Sequence, residues 1–529
     1  MNKHHQNAPF TVTIQPSGRT IPASSGVPLL TLFAEHSILL RSDCGGKGLC
    51  GKCQVEVDDG REPARTIPAC SYMVETDCVV TIPTRALMSP HIIDKAAVQL
   101  PASFAEHLVA ADKPAGQWGV AVDLGTTTVA VYLLDTRKGE VLATMAVKNP
   151  QSLYGDDVMS RISYIGRDEE RLSRLQNLVT GTIDWAVESL LASRKGEHQT
   201  LTEMVVVGNP AMIHIFLGVL PNSIGISPYI PQFLTARTTP TKSLGMSLGD
   251  DVKVRTLPQI SGFIGGDILA ASVAVELAEQ PVGTLLIDLG TNGELMLKGA
   301  DGFYATSCAT GPAFEGATLS SGIQAVPGAI DRISVGSDHK PVFTMINNGK
   351  KTVEKPLGIC GSGIISGVAA FVENGVVEKS GAFAPADEGG PIVSGPEGKR
   401  YRLYADDTGD EVTISQKDIR NVQLGKAALI SGIEFLLAAA KMDAPEQIIV
   451  AGAFGSHLDK RDLLAIGMLP QVDPDTIHIA GNAAGSGAIM ALCDDSYLHY
   501  AQRLAAETTV INLAEDMAFQ RHFVDRLSF

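Results

Sequence analysis

The chain has 529 residues, which at roughly 100–200 residues per domain points to about three domains rather than one. Lysine and arginine total 42 against 58 aspartates and glutamates, a formal net charge of −16, which argues against a non-specific nucleic-acid binder or a basic membrane-surface protein. With 45% hydrophobic and 19% charged residues the chain can bury a large core, and global disorder is excluded.

No stretch approaches the ~20 apolar residues needed to span a bilayer. The most apolar helix candidate, 427–440, is interrupted by Gly432 and Glu434. The opening MNKHHQNAPF has no apolar h-region, so the cytoplasm is the expected compartment.

Residues 1–83 form the first predicted unit, compact from residue 10 onward. Residues 11–14 alternate like a strand, 27–36 carry helix-like apolar spacing at Leu29, Leu30 and Phe33, and 54–57 and 79–82 read as further strands. Between them lies a Gly-rich loop, DCGGKGLCGKC (43–53). Five of the eight cysteines fall in this unit, at 44, 50, 53, 70 and 78. In a cytoplasmic protein such a cluster reads as a metal or redox site rather than a disulfide framework.

Residues 84–117 read as a linker punctuated by Pro90, Pro101 and Pro114, with a short helix near 103–111. A tether of this length would let the first unit swing.

Residues 118–529 read as a duplicated α/β unit, with halves of about 118–280 and 281–529. Three landmarks recur in the same order: VAVDLGTTT (120–128) and LLIDLGTNG (285–293), VVVG (205–208) and IVAG (449–452), GGDILAA (265–271) and GSGAIMA (485–491). The second copy carries a polar insertion at roughly 380–415. Leu172, Leu175, Val179, Ile183, Ala186 and Leu190 mark one long amphipathic helix, and Val422, Leu429, Ile433, Leu436 and Ala440 another.

Two patterns carry chemistry. Cys44-x5-Cys50-x2-Cys53, with Cys70 following, resembles the 2Fe–2S ferredoxin spacing, with a first gap one residue longer than the plant type. Four thiolates must converge on two irons, and Gly45, Gly46, Gly48 and Gly51 let the loop bend tightly around them. A zinc ribbon would instead show two C-x2-C pairs. Cys70, in IPACSYMVETDCVVTIP, is preferred as the fourth ligand; Cys78 falls where a strand residue is expected and reads as a small apolar side chain.

The second pattern is the pair of turns after apolar strands. In each, glycine lets the backbone approach a phosphate, while threonine hydroxyls and turn N–H groups donate to its oxygens. Asp123 and Asp288, at the strand ends, are suited to Mg2+ held through water. Two such turns facing each other would clamp a polyphosphate.

These motifs resemble the ASKHA superfamily of acetate and sugar kinases, Hsp70 and actin. DLGTTT and DLGTNGE match its two phosphate motifs, IIVAGAFGSHL its adenosine motif, and the GGDILAA and GSGAIMA helices its connecting helices. The resemblance implies that Gly125, Thr126, Thr127, Thr128, Gly290, Thr291 and Asn292 cradle phosphates and that Gly452, Ala453 and Phe454 approach the adenosine. It further implies that Asp123 and Asp288 handle Mg2+ and the hydrolytic water. Gly361, Ser362 and Gly363 open another helix, read either as further phosphate donors or as close helix packing. Glu294 reads equally as a base or as a structural strand residue, and His214 and His457 as packing or surface residues. The loop 306–322 reads as an interdomain turn or as a partner-facing surface.

A ferredoxin unit joined to an ASKHA ATPase resembles the reductive activators of corrinoid-dependent methyltransferases, including the activating enzymes of O-demethylases. The likeness runs through CGGKGLCGKC, NPQSLYGDDVMSRI, CATGPAFEG, GICGSGII and QKDIRNVQLGKAA as well. It implies an N-terminal β-grasp 2Fe–2S ferredoxin domain, a linker and a C-terminal actin-like ATPase, with a 2Fe–2S cluster, ATP and Mg2+. The implied activity is ATP-dependent electron transfer to a corrinoid protein whose cobalt has slipped to Co(II), with an upstream low-potential donor. A homodimer is suggested by the likeness alone. The alternatives are a redox-sensing regulatory ATPase, a metabolite kinase fused to a ferredoxin, and an activator of a different low-potential enzyme.

Overall fold

The computed structural model describes residues 10–36, 38–40, 42, 46, 48, 51, 53–83, 86–87, 98–111, 116–194, 200–249, 251–311, 314, 316, 319–323, 325–336, 339–347, 355–385, 390–395, 398–407, 411–452, 458–514 and 516–529.

The N-terminal unit is a five-stranded mixed sheet with one short helix across it. Its strand order is Arg19–Ala23, Phe10–Gln15, Cys78–Thr81, Gln54–Asp58, Arg65–Pro68. Phe10–Gln15 and Cys78–Thr81 are parallel; the other pairs are antiparallel. Alternation puts Val12, Ile14, Val55, Val57 and Val80 on one face. The helix Leu29–Glu35 presses Leu29, Leu30, Leu32 and Phe33 onto that face. This is the β-grasp arrangement. The predicted helical stretch 27–36 divides, because Val27–Pro28 first pairs as a strand with Met73–Val74. Pro28 then stands at the N-cap, where its fixed φ is tolerated.

The remainder contains two six-stranded sheets sharing one five-strand plan. In the first half the order is Glu140–Lys148, Thr128–Asp135, Gln117–Leu124, Thr200–Val207, Lys253–Thr256, with Thr238–Pro240 at the edge. In the second it is Phe303–Cys308, Gly293–Lys298, Thr284–Leu289, Gln447–Ala451, Ile477–Gly481, with Thr508–Val510 beyond the first strand. In both, the first three strands form an antiparallel meander and the last two are parallel to the third. A shared strand order with shared directions is what a duplicated α/β unit produces.

The repeated glycines have a steric cause. A Cβ on Gly208 would sit 2.6 Å from the carbonyl oxygen of Leu124, and one on Gly452 would sit 2.4 Å from that of Leu289. Each glycine thus lets a parallel strand pass the end of its half's phosphate strand. Between the halves, Gly266–Ala274 packs on Ala483–Cys493 so closely that a Cβ on Gly487 would lie 1.9 Å from the Ala270 carbonyl oxygen. This helix pair is the centre of a core shared by both halves.

The long helices are Glu169–Ser193 and Gln416–Ala439. The second starts with a capping box between Ser415 and Asp418 and is apolar enough by composition to cross a membrane. Its most apolar window is 72% buried inside the protein, against Leu295, Cys308 and Phe314 among others. The insertion at 380–415 contains a three-stranded antiparallel sheet, Ile392–Gly395, Gly398–Ala405 and Glu411–Ser415, whose Tyr401 is buried against Phe371.

The described part of the linker is not a free tether. Its helix Phe104–Ala111 buries Phe104 in the core between the halves, and His107 Nδ1 lies 3.6 Å from an Asp494 carboxylate oxygen. The N-terminal unit also touches the first half directly. Tyr154 Oη donates to Glu35 at 3.0 Å, Arg174 Nε lies 3.0 Å from the same carboxylate oxygen, and Leu153 packs against the N-terminal core.

Candidate functional site

The cleft lies between the two halves, at the ends of their phosphate strands. It is open to solvent at its mouth and lined by residues of both halves. Asp123, Gly125, Thr126, Thr127 and Thr128 line one side, and Asp288, Gly290, Thr291 and Asn292 the other. Both turns are tight. Gly125 N donates to Thr128 O at 3.0 Å, and Gly290 N to Asn292 O at 2.9 Å. The two turns meet across the cleft, with Thr127 Oγ1 and Thr291 Oγ1 3.1 Å apart.

Side chains of the same half brace the first turn from behind. Asn209 Nδ2 donates to Thr126 Oγ1 at 3.0 Å, and Asn149 Nδ2 to Gly125 O at 2.9 Å. In the second half Thr310 Oγ1 donates to the carbonyls of Gly290 and Thr291, each at 3.1 Å.

Among the described residues three helices begin at the cleft, with Asp267, Gly361 and Ala484 on its wall from their first turns. Helix starts offer free N–H groups and a positive dipole end to an anion. The helix that opens at Gly361 answers the sequence-level choice in two ways. Gly361 borders the cleft, whereas a Cβ on Gly363 would sit 2.2 Å from the Ile330 carbonyl oxygen, and Ser362 Oγ pairs with Cys360 Sγ at 3.3 Å. Gly363 is therefore a close-packing residue.

Asp123 is half-buried on the cleft wall, and Asn482 Nδ2 donates to it at 2.9 Å. Burial pushes its pKa up, and that hydrogen bond opposes the shift. Burial also pushes Asp267 up, and the neighbouring Asp123 adds to it. Two neighbouring half-buried carboxylates that resist ionising together are relieved by a nearby cation. Glu294 is buried in its strand, opposite Asp288 in the register, and borders the cleft. Gly452 lines the cleft with φ +125°, a conformation open to glycine. Ala453, Phe454 and His457 lie outside the described residues. His214 is a buried, stacked core residue away from the cleft.

Sequence reasoning did not nominate Asp267, Asn482, Asn209 or Lys148 for this cleft. Asp267 stands inside the quoted GGDILAA motif, and a carboxylate in a helix's first turn was the available signal. Asn482 caps the GSGAIMA helix by accepting from Gly485 N.

In the N-terminal unit Cys53 Sγ and Cys70 Sγ lie 3.5 Å apart. Two thiolates about 2.3 Å from one tetrahedral metal are separated by roughly 3.8 Å, so the pair fits joint ligation with little movement. Gly46, Gly48 and Gly51 all have positive φ, the turning that a loop wrapped on a cluster needs. Cys44 and Cys50 lie outside the described residues. Cys78 is buried on a strand opposite Val12, and burial pushes its thiol up to about 11, which disfavours the thiolate a metal requires.

Comparison with known proteins agrees with this geometry. A family model for a 2Fe-2S iron-sulfur cluster binding domain matches residues 12–75, a RACo middle region matches 118–280, and the C-terminal domain of RACo, the ASKHA domain, matches 283–529. The chain is 28% identical to the corrinoid activation enzyme RamQ of Eubacterium limosum, over 94% of this chain and 95% of that one. It is 23% identical to a [Co(II) methylated amine-specific corrinoid protein] reductase of Methanosarcina barkeri, over 78% and 77%. Among solved structures, a reductive activator for a corrinoid, iron-sulfur protein superposes with a TM-score of 0.72 at 26% identity, covering 98% of each chain. With a 2Fe–2S domain at its N-terminus and the two RACo regions in succession over the rest, the chain belongs to the RACo family.

Proposed function

We propose that this protein is an ATP-dependent reductive activator that passes an electron to a corrinoid protein and returns its cobalt from Co(II) to Co(I). The observation that carries the reading is the union, in one chain, of a cysteine loop suited to a one-electron centre with a cleft suited to a nucleotide. Phosphoryl transfer to a metabolite would need no such centre. The names of the full-length relatives support the corrinoid acceptor.

When bound, the 2Fe–2S cluster supplies one electron at low potential. Cys44, Cys50, Cys53 and Cys70 hold it, and the loop glycines turn the backbone around it. In the cleft, Gly125, Thr126, Thr127 and Thr128 receive the phosphates from one side and Gly290, Thr291 and Asn292 from the other, with Gly361 adding N–H donors. Asp123 and Asp288 orient Mg2+ and the hydrolytic water, with Asp267 beside Asp123. Gly452 opens the path for the adenosine, which Ala453 and Phe454 border. The electron comes from an upstream low-potential donor, and the protein works in the cytoplasm, as a homodimer.

A one-electron step that is uphill loses a factor of ten for each ~59 mV. Nucleotide binding overcomes such a gap only if it favours one conformation over another through differential affinity. In this reading the ATP-bound form binds the Co(II) partner, and hydrolysis releases it. Steady-state ATPase assays with the corrinoid partner in its Co(II) and methylated states test this. Stimulation by the Co(II) form alone is expected; a rate indifferent to the Co(II) form would refute it.

A further inference from the structure

One short stretch of chain touches both sites. It runs from Lys148 to Arg161, through the 3-10 turn Pro150–Leu153 and into the helix Val158–Ile165. At the cleft it holds the first three carbonyls of the phosphate turn Gly125–Thr128. Asn149 Nδ2 donates to Gly125 O at 2.9 Å, Arg161 Nη2 to Thr126 O at 2.6 Å, and Asn149 N to Thr127 O at 2.8 Å. Arg161 is fully buried; Nε to Gly155 O at 2.9 Å and Nη1 to Gln151 Oε1 at 3.2 Å tie the stretch to itself, and Nη1 also reaches Met212 Sδ at 3.2 Å. Gln151, also fully buried, anchors to Leu175 O at 2.9 Å.

At the other end the stretch seats the N-terminal unit. The place a Cβ would take on Gly46 lies 3.1 Å from Leu153 Cδ2 and 3.9 Å from Cys70 Cβ, so Leu153 rests on the cysteine loop. Tyr154 Oη donates to Glu35 at 3.0 Å, and Lys148 Nζ to Ser42 O at 3.3 Å. From Asn149 to Leu153 is four residues, about 8 Å at the 3-10 rise. The connection is short, its Asn149 and Gln151 are buried, and backbone bonds from Ser152 N to Asn149 O and from Tyr154 N to Gln151 O brace the turn, so displacement of the turn carbonyls is passed on rather than absorbed.

We propose that Lys148–Arg161 is a mechanical coupling between nucleotide occupancy and the seating of the ferredoxin unit, with Arg161 as its positioning residue. When phosphate draws on the N–H and hydroxyl groups of Thr126 and Thr127, the carbonyls on the far side of the turn move with them. Asn149 and Arg161 carry that movement to Leu153 and Tyr154. The inference rests on the nucleotide and cluster assignments above and is independent of the electron acceptor.

Linkage makes the coupling reciprocal: if nucleotide changes the seating equilibrium, unseating changes nucleotide affinity by the same factor. Glu35→Arg tests it from the far end. It places a cation against Arg174 and removes the Tyr154 contact, with no residue of the cleft altered. Oxidised holoprotein and Mg-AMPPNP are the materials. Iron content and visible spectrum show that the cluster is intact, and direct titration shows that the nucleotide binds. The expected result in wild type is a change of fivefold or more in amide exchange over Leu29–Glu35 when nucleotide is added. In Glu35→Arg the Kd for Mg-AMPPNP shifts by a similar factor, tighter if nucleotide loosens the seat and weaker if it tightens it. Leu153→Ala should bring exchange in the free and nucleotide-bound forms together. Unchanged exchange in wild type, an unchanged Kd in Glu35→Arg, or a Kd shift of the opposite sign would each overturn the proposal. Absence of nucleotide binding or of a cluster would instead strike at the site assignments themselves.

Discussion

Thr127 Oγ1 and Thr291 Oγ1 stand 3.1 Å apart, one hydroxyl from each half of the duplicated fold. The contact brings two turns that are 164 residues apart in the chain to a single point in the cleft. Each hydroxyl has a lone pair and a proton to offer, so together they can bracket one phosphate oxygen. Hydrogen bonds to charged groups are worth about 1.5–3 kcal/mol. Thr127→Val is therefore expected to lower kcat/KM for ATP by roughly ten- to a hundredfold. Because the two hydroxyls share a contact, the double variant with Thr291→Val should cost less than the product of the single effects. Steady-state ATPase assays of the three variants check both statements.

The two candidate fourth thiols are separated by their surroundings. Cys70 Sγ lies 3.5 Å from Cys53 Sγ, whereas Cys78 is packed in the sheet with a thiol pushed up to about 11. Cys70→Ser should abolish or strongly alter the visible spectrum of the cluster and reduce iron per chain. Cys78→Ser should keep the full iron content and lose only stability, by about 1–2 kcal/mol for a hydroxyl placed among apolar neighbours. The reverse pattern of iron content would exchange the assignments.

The helix pair between the halves gives a test of the closed cleft. A methyl group at Gly487 meets the Ala270 backbone at 1.9 Å, and neither helix can yield without moving the other. Gly487→Ala is expected to cost about 3 kcal/mol in stability, seen as a lower Tm. It should also weaken ATP binding, because Asp267 and Asn482 ride on these two helices. A variant with wild-type Tm and wild-type affinity would show that the helices have slack.

His214 supplies a pH dependence unconnected with the cleft. Its Nδ1–H donates to Pro210 O at 2.6 Å, its Nε2 accepts from Gln232 N at 3.0 Å, and its ring stacks on Phe233 at 4.3 Å. Burial lowers its pKa to about 4, and the cation of Arg237 adds to the effect. A histidine whose folded pKa is depressed stabilises fully above its unfolded value, near 6.5, and loses that contribution as pH falls toward about 4. His214→Phe should lower Tm at pH 7.5, and its deficit relative to wild type should shrink as pH drops from 6.5 to 4.5. A deficit constant over that range would mean that the imidazole is not held neutral.

What was legible in the sequence was local. Cys50 and Cys53 are separated by two residues, Gly51 and Lys52, with further glycines before them, and the DLGT turns announce themselves by a strand running into glycine. The duplication was legible because each landmark is constrained sterically, as Gly208 and Gly452 show by crowding the carbonyls of Leu124 and Leu289. What stayed hidden depends on closure of the chain over long distances. Asp267 faces Asp123 only once the two connecting helices pack, and Asn482 reaches Asp123 across 359 residues. Arg161 looks like an ordinary surface arginine on an amphipathic helix, yet it is fully buried, with Gly155 O and Gln151 Oε1 of its own stretch and Thr126 O of the phosphate turn converging on its guanidinium. The linker helix was visible as a pattern, but its anchoring through Phe104 was not, since one buried phenylalanine carries no periodic signal. The insertion at 380–415 reads as polar because its three-stranded sheet buries one face only.

The central claim is that ATP makes electron delivery to a corrinoid protein possible. Its most direct test is anaerobic: reduce the purified protein, add a Co(II) corrinoid protein, and follow the cobalt absorption spectrum with and without Mg-ATP. The account predicts that Co(I) forms only when Mg-ATP is present. Co(I) formation at the same rate without nucleotide, or no Co(I) with any corrinoid protein despite an intact cluster and ongoing ATP hydrolysis, would contradict it.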